Sequence, residues 1–272
     1  MKYSTYMMMA AFAAGLVIVI TIAVTALASG EARKDSSLLI KGKQVTVTLP
    51  SFSHADITVY KIGGKYALSG FRGIEMVESD SISAPVMTMR EGLKAITQAK
   101  VTGDTLALNV DPAMLGDTVT SSNMIMLEVE NIHPITITVP RGMLKSVDNR
   151  SEALYMTGFA APRLDASMGS SRMVMNRCDI DSLVSDSRHI NELKLTESTI
   201  NVVEMTDSPE NMSVKCTDIT SRVGKLKVKA RNKCTLGLKK ANVGELEWIP
   251  ADSAAELDLR VVRPIIMTSA AE

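Results

Sequence analysis

Residues 221–242, SRVGKLKVKARNKCTLGLKKAN, hold eight Lys or Arg and no Asp or Glu. The forty residues before them, 181–220, hold eight carboxylates against three cations. Lys225, Lys227 and Lys229 alternate with Leu226 and Val228, which is the period of a β-strand, so their ammonium groups share one outward face. With Arg231 and Lys233 they form a candidate stripe for an anionic ligand, an envelope polymer, a glycan or lipid head groups. The bland alternative is a solvated face whose lysines discourage edge-to-edge pairing of sheets.

Little else in the chain has the spacing of a reactive centre. His54, His133 and His189 are far apart, and neither H-x-x-x-H nor C-x-x-C occurs. There is no G-x-S-x-G and no glycine-rich phosphate loop. Asp179-x-Asp181 is an isolated pair that corner hydrogen bonding explains as well as a cation does. The three cysteines, Cys178, Cys216 and Cys234, form neither a zinc pattern nor a disulfide framework. They read as buried small hydrophobes, with a Cys216–Cys234 bridge as the other possibility. The 18 methionines read as flexible core filler. No catalytic residue, metal ligand or cofactor is therefore expected. The 272 residues balance thirty cations against thirty carboxylates, and aromatics make up 4%. That excludes a global field drawing the chain to nucleic acid and argues against base-stacking platforms.

Positioning the stripe requires strands, and the strand pattern restarts at a fixed interval. Leu144, Leu164, Leu183, Val203, Val223 and Val243 are spaced 20, 19, 20, 20 and 20 residues apart. Leu154, Val174, Leu193, Val214 and Cys234 form a second column, and Ala160, Ile180, Ile200 and Ile219 a third. A period near twenty with short apolar strands and polar corners is the signature of a solenoid. The leucine-rich horseshoe lacks its consensus here, which leaves a parallel β-helix over 141–260. Each coil rises about 4.8 Å, so six coils stack to roughly 25–30 Å. The spacing sets Cys216 near Cys234 in adjacent coils and lines Asp148, Ser167, Asp186 and Asp207 along one corner.

Residues 40–140 read as further strands, antiparallel or mixed. QVTVTLP and ADITVY alternate cleanly, and ITQAKVTGDTLALNV is a hairpin turning at Gly103-Asp104. A helical turn or two is expected within 87–95. Ahead of these strands lies a polar linker, 31–39, and ahead of that an apolar run, Met7–Ala28, within residues 1–30. As a helix the run is roughly 33 Å long, enough to cross a bilayer core. Two fates are open: an uncleaved membrane anchor, or a signal peptide cut after Ala28 at Ala26-Leu27-Ala28. Residues 261–272 form a C-terminal tail.

Taken in order, SFSHADITVYKIGGKYAL, VTGDTLAL, ITITVPRGMLKSVDN, LDASMGSSRMVM and LVSDSRHINELKL resemble the GIN domain, an auto-transporter adhesin head domain of bacterial envelope proteins. The likeness covers roughly residues 42–260. It implies an all-β, right-handed parallel β-solenoid outside the cytoplasm, with no established catalytic activity and no catalytic residues to carry over. The family's small Ser-Gly corners are kept only in SMGSS; DNRSE, SDSRH, TDSPE and KARNK stand elsewhere. The expectation is a non-enzymatic, adhesin-head-like scaffold of the bacterial cell envelope. Its partner would be an anionic polymer, a glycan or another envelope protein, and not nucleic acid. A β-helix polysaccharide-active enzyme and a membrane-anchored sensor are the alternatives. The enzyme would need convergent carboxylates in a groove. The sensor would need more than six residues ahead of the apolar run.

Overall fold

The computed structural model describes residues 37–116, 124–129, 133–168, 172–186, 192–206, 210–261 and 265–269. The apolar run and both of its possible fates, His189 and Asp207 lie outside these residues. Among the described residues no helix is long and apolar enough to cross a membrane. They are nearly all strand, with two short 3-10 helices at Glu91–Ile96 and Pro112–Leu115. The first is the helical turn expected within 87–95, set later by four residues because Val86–Arg90 is a strand.

From Ser146 onward the chain feeds two sheets alternately. Sheet I receives Ser146–Arg150, Ala160–Met168, Asp179–Ser185, Thr199–Met205, Arg222–Ala230, Val243–Pro250 and Ile266–Ser269. Sheet II receives Ala153–Thr157, Arg172–Asn176, Glu192–Thr196, Asn211–Cys216, Cys234–Lys240 and Leu257–Arg260. Each of these strands pairs in parallel with its counterpart one repeat away. The earlier strands extend the same sheets, His54–Val59 and the antiparallel pair Thr97–Thr102 and Thr105–Val110 in sheet I. Ile74–Ser79, Ile135–Pro140, Val86–Arg90 and Gln44–Thr48 extend sheet II. The expected hairpin is present, with Gly103 at φ 62°. Described residues of the expected linker and tail also form strands. Ser37–Ile40 pairs with Ile125–Val129, and Ile266–Ser269 pairs with Val243–Pro250.

Strand alternation sends one side chain in two to the core between the sheets, and registered neighbours stack there. Leu164, Leu183, Val203, Leu226 and Leu246 are successive register partners, all essentially without exposure. Ile180, Ile200, Val223 and Val243 form the next inward row. Full burial of one such side chain contributes about 1.5–3 kcal/mol.

Several column assignments need correction. Leu144 precedes its strand, and Val147 is the residue that pairs with Ala166. Leu154 stacks on Met173, because Val174 faces outward beside Tyr155; a one-residue slip exchanges the two faces of a strand. Val223 belongs with Ile200, and Ile219, 96% exposed, belongs to no inward row. Cys234 starts its strand whereas Cys216 ends the neighbouring one, one residue past Lys215, the partner of Lys240, so roughly 20 Å of strand separates the two. None of the three cysteines is in a disulfide; Cys178 and Cys234 are buried and Cys216 half-buried. Asp148 and Ser167 are register partners, but within strands of sheet I rather than at a corner.

The slip at Val223 has a local cause. Two residues turn the chain from sheet II to sheet I between Asn176 and Asp179, and two between Thr196 and Thr199. Five do so between Cys216 and Arg222; strand partners are 21 residues apart just before this corner and 23 just after it. Asp218 closes this enlarged corner. Its carboxylate accepts from the Glu197 N–H (2.7 Å), the Thr220 N–H and hydroxyl (2.9 and 2.6 Å) and the Ser221 N–H and hydroxyl (2.8 and 2.7 Å). The Ser221 hydroxyl in turn accepts from the Ser198 N–H (3.2 Å), and Ser198 Oγ accepts from the Cys178 N–H (3.0 Å). One carboxylate thus terminates a hydrogen-bonded ladder running through three corners.

The Thr220 hydroxyl first, then the Glu197 N–H and the Ser221 hydroxyl, hold the Asp218 carboxyl well below the usual carboxylate range. An acid whose folded-state pKa is depressed stabilises the fold fully above its unfolded value, about 3.9, and loses that contribution as pH falls toward the folded value. Asp218→Ala is therefore expected to lower the melting temperature at pH 7, with the gap to the parent narrowing below about pH 4. Coincident melts at pH 7 would remove Asp218 as the fastening of this corner.

Candidate anionic-ligand surface

Strand Arg222–Ala230 alternates as its sequence requires: Val223, Leu226, Val228 and Ala230 are buried, Lys225 and Lys227 half-buried, Lys229 exposed. The three lysines do share the outer face of sheet I. Their neighbours, however, are carboxylates from the adjacent repeats. Lys227 sits in register between Glu204 and Glu247, and Lys225 beside Glu245. Lys225 Nζ is 2.9 Å from Glu247 Oε2 and 3.0 Å from Glu245 Oε1. Its hydrogen bonds to the Glu247 and then the Glu245 carboxylate raise its pKa, and donation by Lys225, ahead of Thr268, lowers that of Glu245.

The stripe therefore divides in two. Lys225 ties two strands of sheet I together, and Lys227 lies in register between carboxylates of the strands on either side. Lys229 lies beside Ile249, and Arg231 and Lys233 follow in the turn to sheet II, all exposed. Among the described residues no carboxylate stands within ion-pair distance of Lys229 or Arg231. Lys233 reaches Glu256 at 3.7 Å, but both side chains are about two-thirds exposed, and such a pair contributes little. Glu245 and Glu247 lie outside the acid-free window, yet each is one twenty-residue period beyond Lys225 or Lys227. The period is the signal that identifies them.

The remaining sequence candidates have structural partners. His54 Nδ1 is 2.5 Å from Ser146 Oγ, and its Nε2 is 3.3 Å from Asp104 Oδ2, the residue types of a nucleophilic relay. Ser146, though, sits in a strand paired on both sides, and its own N–H donates to the Ser53 carbonyl (3.2 Å). The N–H groups of Ser53 and His54 donate to the Asp104 carbonyl and that of Lys145 to the Ser53 carbonyl, so these donors are committed to backbone bonds. His133 packs against the Tyr155 ring with centroids 4.0 Å apart; burial lowers its pKa, with the Glu75 charge opposing. Asp181 accepts from Asn201 Nδ2 (2.8 Å), a contact between repeats. Among the described residues no three His, Cys, Asp or Glu side chains group closely enough to hold a metal ion.

No family model matches the chain, and no curated protein matches it. Solved structures similar to it include a proposed adhesin from Bacteroides fragilis, at 16% identity and a TM-score of 0.38, covering 86% of this chain and 100% of that one. A proposed lipid-binding protein from Parabacteroides distasonis is 12% identical with a TM-score of 0.39 and the same coverage. A proposed adhesin from Parabacteroides merdae is 12% identical with a TM-score of 0.35, covering 86% of this chain and 98% of that one.

Proposed function

We propose that this chain is a non-enzymatic cell-envelope scaffold of the adhesin-head kind, related to the GIN domain. In this reading its two sheets are the walls of a β-solenoid, tethered outside the cytoplasm through residues 7–28 or released by cleavage after Ala28. The alternation of strands between two parallel sheets supports the solenoid, and the near-universal hand of parallel crossovers favours a right-handed one. The ligand in this reading is an anionic envelope polymer. The observation that carries it is the exposed corner of Lys229, Arg231 and Lys233: among the described residues the first two have no close carboxylate and Lys233 only the exposed Glu256, whereas Lys225 is neutralised within sheet I.

The test separates the two halves of the stripe. Full-length chain in neutral detergent is titrated with polygalacturonate, a carboxylated polysaccharide, at low salt. Replacing Lys229, Arg231 and Lys233 together with Gln removes about 0.5 kcal/mol each, so binding is expected to weaken roughly tenfold. Lys225→Gln should leave affinity nearly unchanged, because that charge is already paired. Equal affinity of parent and triple variant would sink the polymer-binding reading.

A further inference from the structure

Sheet II carries a second cationic group that the stripe does not include. Strand Asn211–Cys216 pairs with Cys234–Lys240 in a register that slips: Ser213 is opposite Gly237, and Lys215 is opposite Lys240. Two steps on one strand thus face three on the other, the signature of a β-bulge, a device that re-aims side chains. Its consequence is that the consecutive residues Lys239 and Lys240 are both exposed, where plain alternation would turn one of them inward. On the other side, Gly237 is in register with Arg260. Lys215, Lys239, Lys240 and Arg260 ring a depression of about 320 Å³ beside Ser213, and Gly237 is its floor.

Two features of this depression weaken the sheet and return nothing to it. The first is Lys215 directly across from Lys240, a like-charge pair that destabilises adjacent strands. Lys215 has Glu192 at 2.9 Å and Arg260 has Asp258 at 3.2 Å, but no carboxylate of the described residues pairs with Lys239 or Lys240. The second is the glycine. A Cβ on Gly224 or Gly244 would press on the carbonyl oxygen of Asn201 or Gly224, at 2.6 and 2.8 Å, so close strand approach accounts for those two. A Cβ on Gly237 meets nothing nearer than 3.6 Å, and no left-handed φ is required of it. Glycine inside a strand marks a bulge or a place where a ligand approaches closely; the bulge starts at Gly237, and the missing side chain leaves the backbone there bare. Costs of this kind that the fold does not explain gather at functional sites.

We propose that this depression is a binding site for a phosphate group, seated on the bare backbone at Gly237 and held by Lys239 and Lys240, with Lys215 and Arg260 at its rim. A phosphate anion there offsets the Lys215–Lys240 repulsion and fills the space above the glycine. The volume exceeds that of a phosphate, so the rest of a phosphate-bearing molecule projects outward. The site is on the other sheet from the Lys229 corner and is independent of the polymer-binding reading.

The test uses full-length chain in neutral detergent at low salt, titrated with inorganic phosphate and, separately, with glycerophosphoglycerol, followed by calorimetry and by the thermal shift each ligand produces. The parent is expected to bind at least one of the two saturably, with dissociation constants in the millimolar range or tighter. Tighter binding of the diester assigns the site to a lipid-type head group, and tighter binding of inorganic phosphate assigns it to the free ion; either supports the site. Gly237→Val is expected to melt no lower than the parent and to bind at least tenfold more weakly. Lys239→Gln with Lys240→Gln should do the same by removing charge. The Lys229, Arg231 and Lys233 triple variant should retain phosphate binding. Absence of saturable binding to both ligands, or undiminished binding by folded Gly237→Val, overturns the proposal.

Discussion

Ile200→Asp is expected to abolish cooperative unfolding of the β region, while Ile219→Asp leaves the melt unchanged. Ile200 is wholly buried between Ile180 of one repeat and Val223 of the next. An aspartate there loses the burial of the isoleucine, about 2–5 kcal/mol with the void it leaves, and sets a carboxyl among apolar side chains. Ionised, that carboxyl has no partner; protonated, it has still lost water; either route costs several kcal/mol more. The total is on the order of 5 kcal/mol or above, comparable with the whole stability of a typical domain. Ile219, fully exposed in the enlarged corner, is the control of identical chemistry. Denaturant melts followed by circular dichroism decide the matter. A cooperative, parent-like melt for Ile200→Asp would refute the inward row.

The second large effect is expected from one methyl group. Gly73 has φ 153° and opens strand Ile74–Ser79, which pairs in parallel with Ile135–Pro140 on one side and Ala153–Thr157 on the other. It stands where the earlier strands meet the repeats. A Cβ at Gly73 would collide with the Ala153 carbonyl oxygen, which is backbone and has little room to yield. Gly73→Ala therefore combines a disfavoured φ with a forced separation of paired strands, about 2–4 kcal/mol in all. For a domain of this size that lowers the melting temperature on the order of 10 °C. A variant melting within a degree or two of the parent would mean that the strands separate there without cost. The contrast is with Gly237, where an added Cβ makes only ordinary contacts at 3.6 Å or more, so that substitution is expected to cost no comparable stability.

Much of the fold was legible because its strongest signal is local. Leu164, Leu183 and Val203 recur at nearly one interval, and alternation around them is visible without any partner strand. The lysines of 225–229 alternate with Leu226 and Val228 for the same reason, so their common face was readable. Strand partners were harder. Val174 and Met173 are both apolar and adjacent, and only pairing with Leu154 selects Met173 as the inward residue. Ile219 continued the twenty-residue count, but five corner residues had replaced two, and Val223 was carried into its place.

The candidate site divides along the same line. The cluster of cations in 221–242 is a property of the chain, visible in composition alone. Which of them remain available depends on residues twenty or more positions away: Glu245 and Glu247 cross over to Lys225, and among the described residues no carboxylate reaches Lys229 or Arg231. The depression at Gly237 left no mark in the sequence, because a bulge is a mismatch between two strands and neither strand records it. Amino-acid order by itself determined strand character, the repeat interval and the sign of the surface charge, since each arises from side chains a few positions apart. Register, charge neutralisation and the open floor at Gly237 were decided by tertiary structure, since hydrogen-bonded ladders and Coulomb attraction act between strands that meet only when the repeats pack.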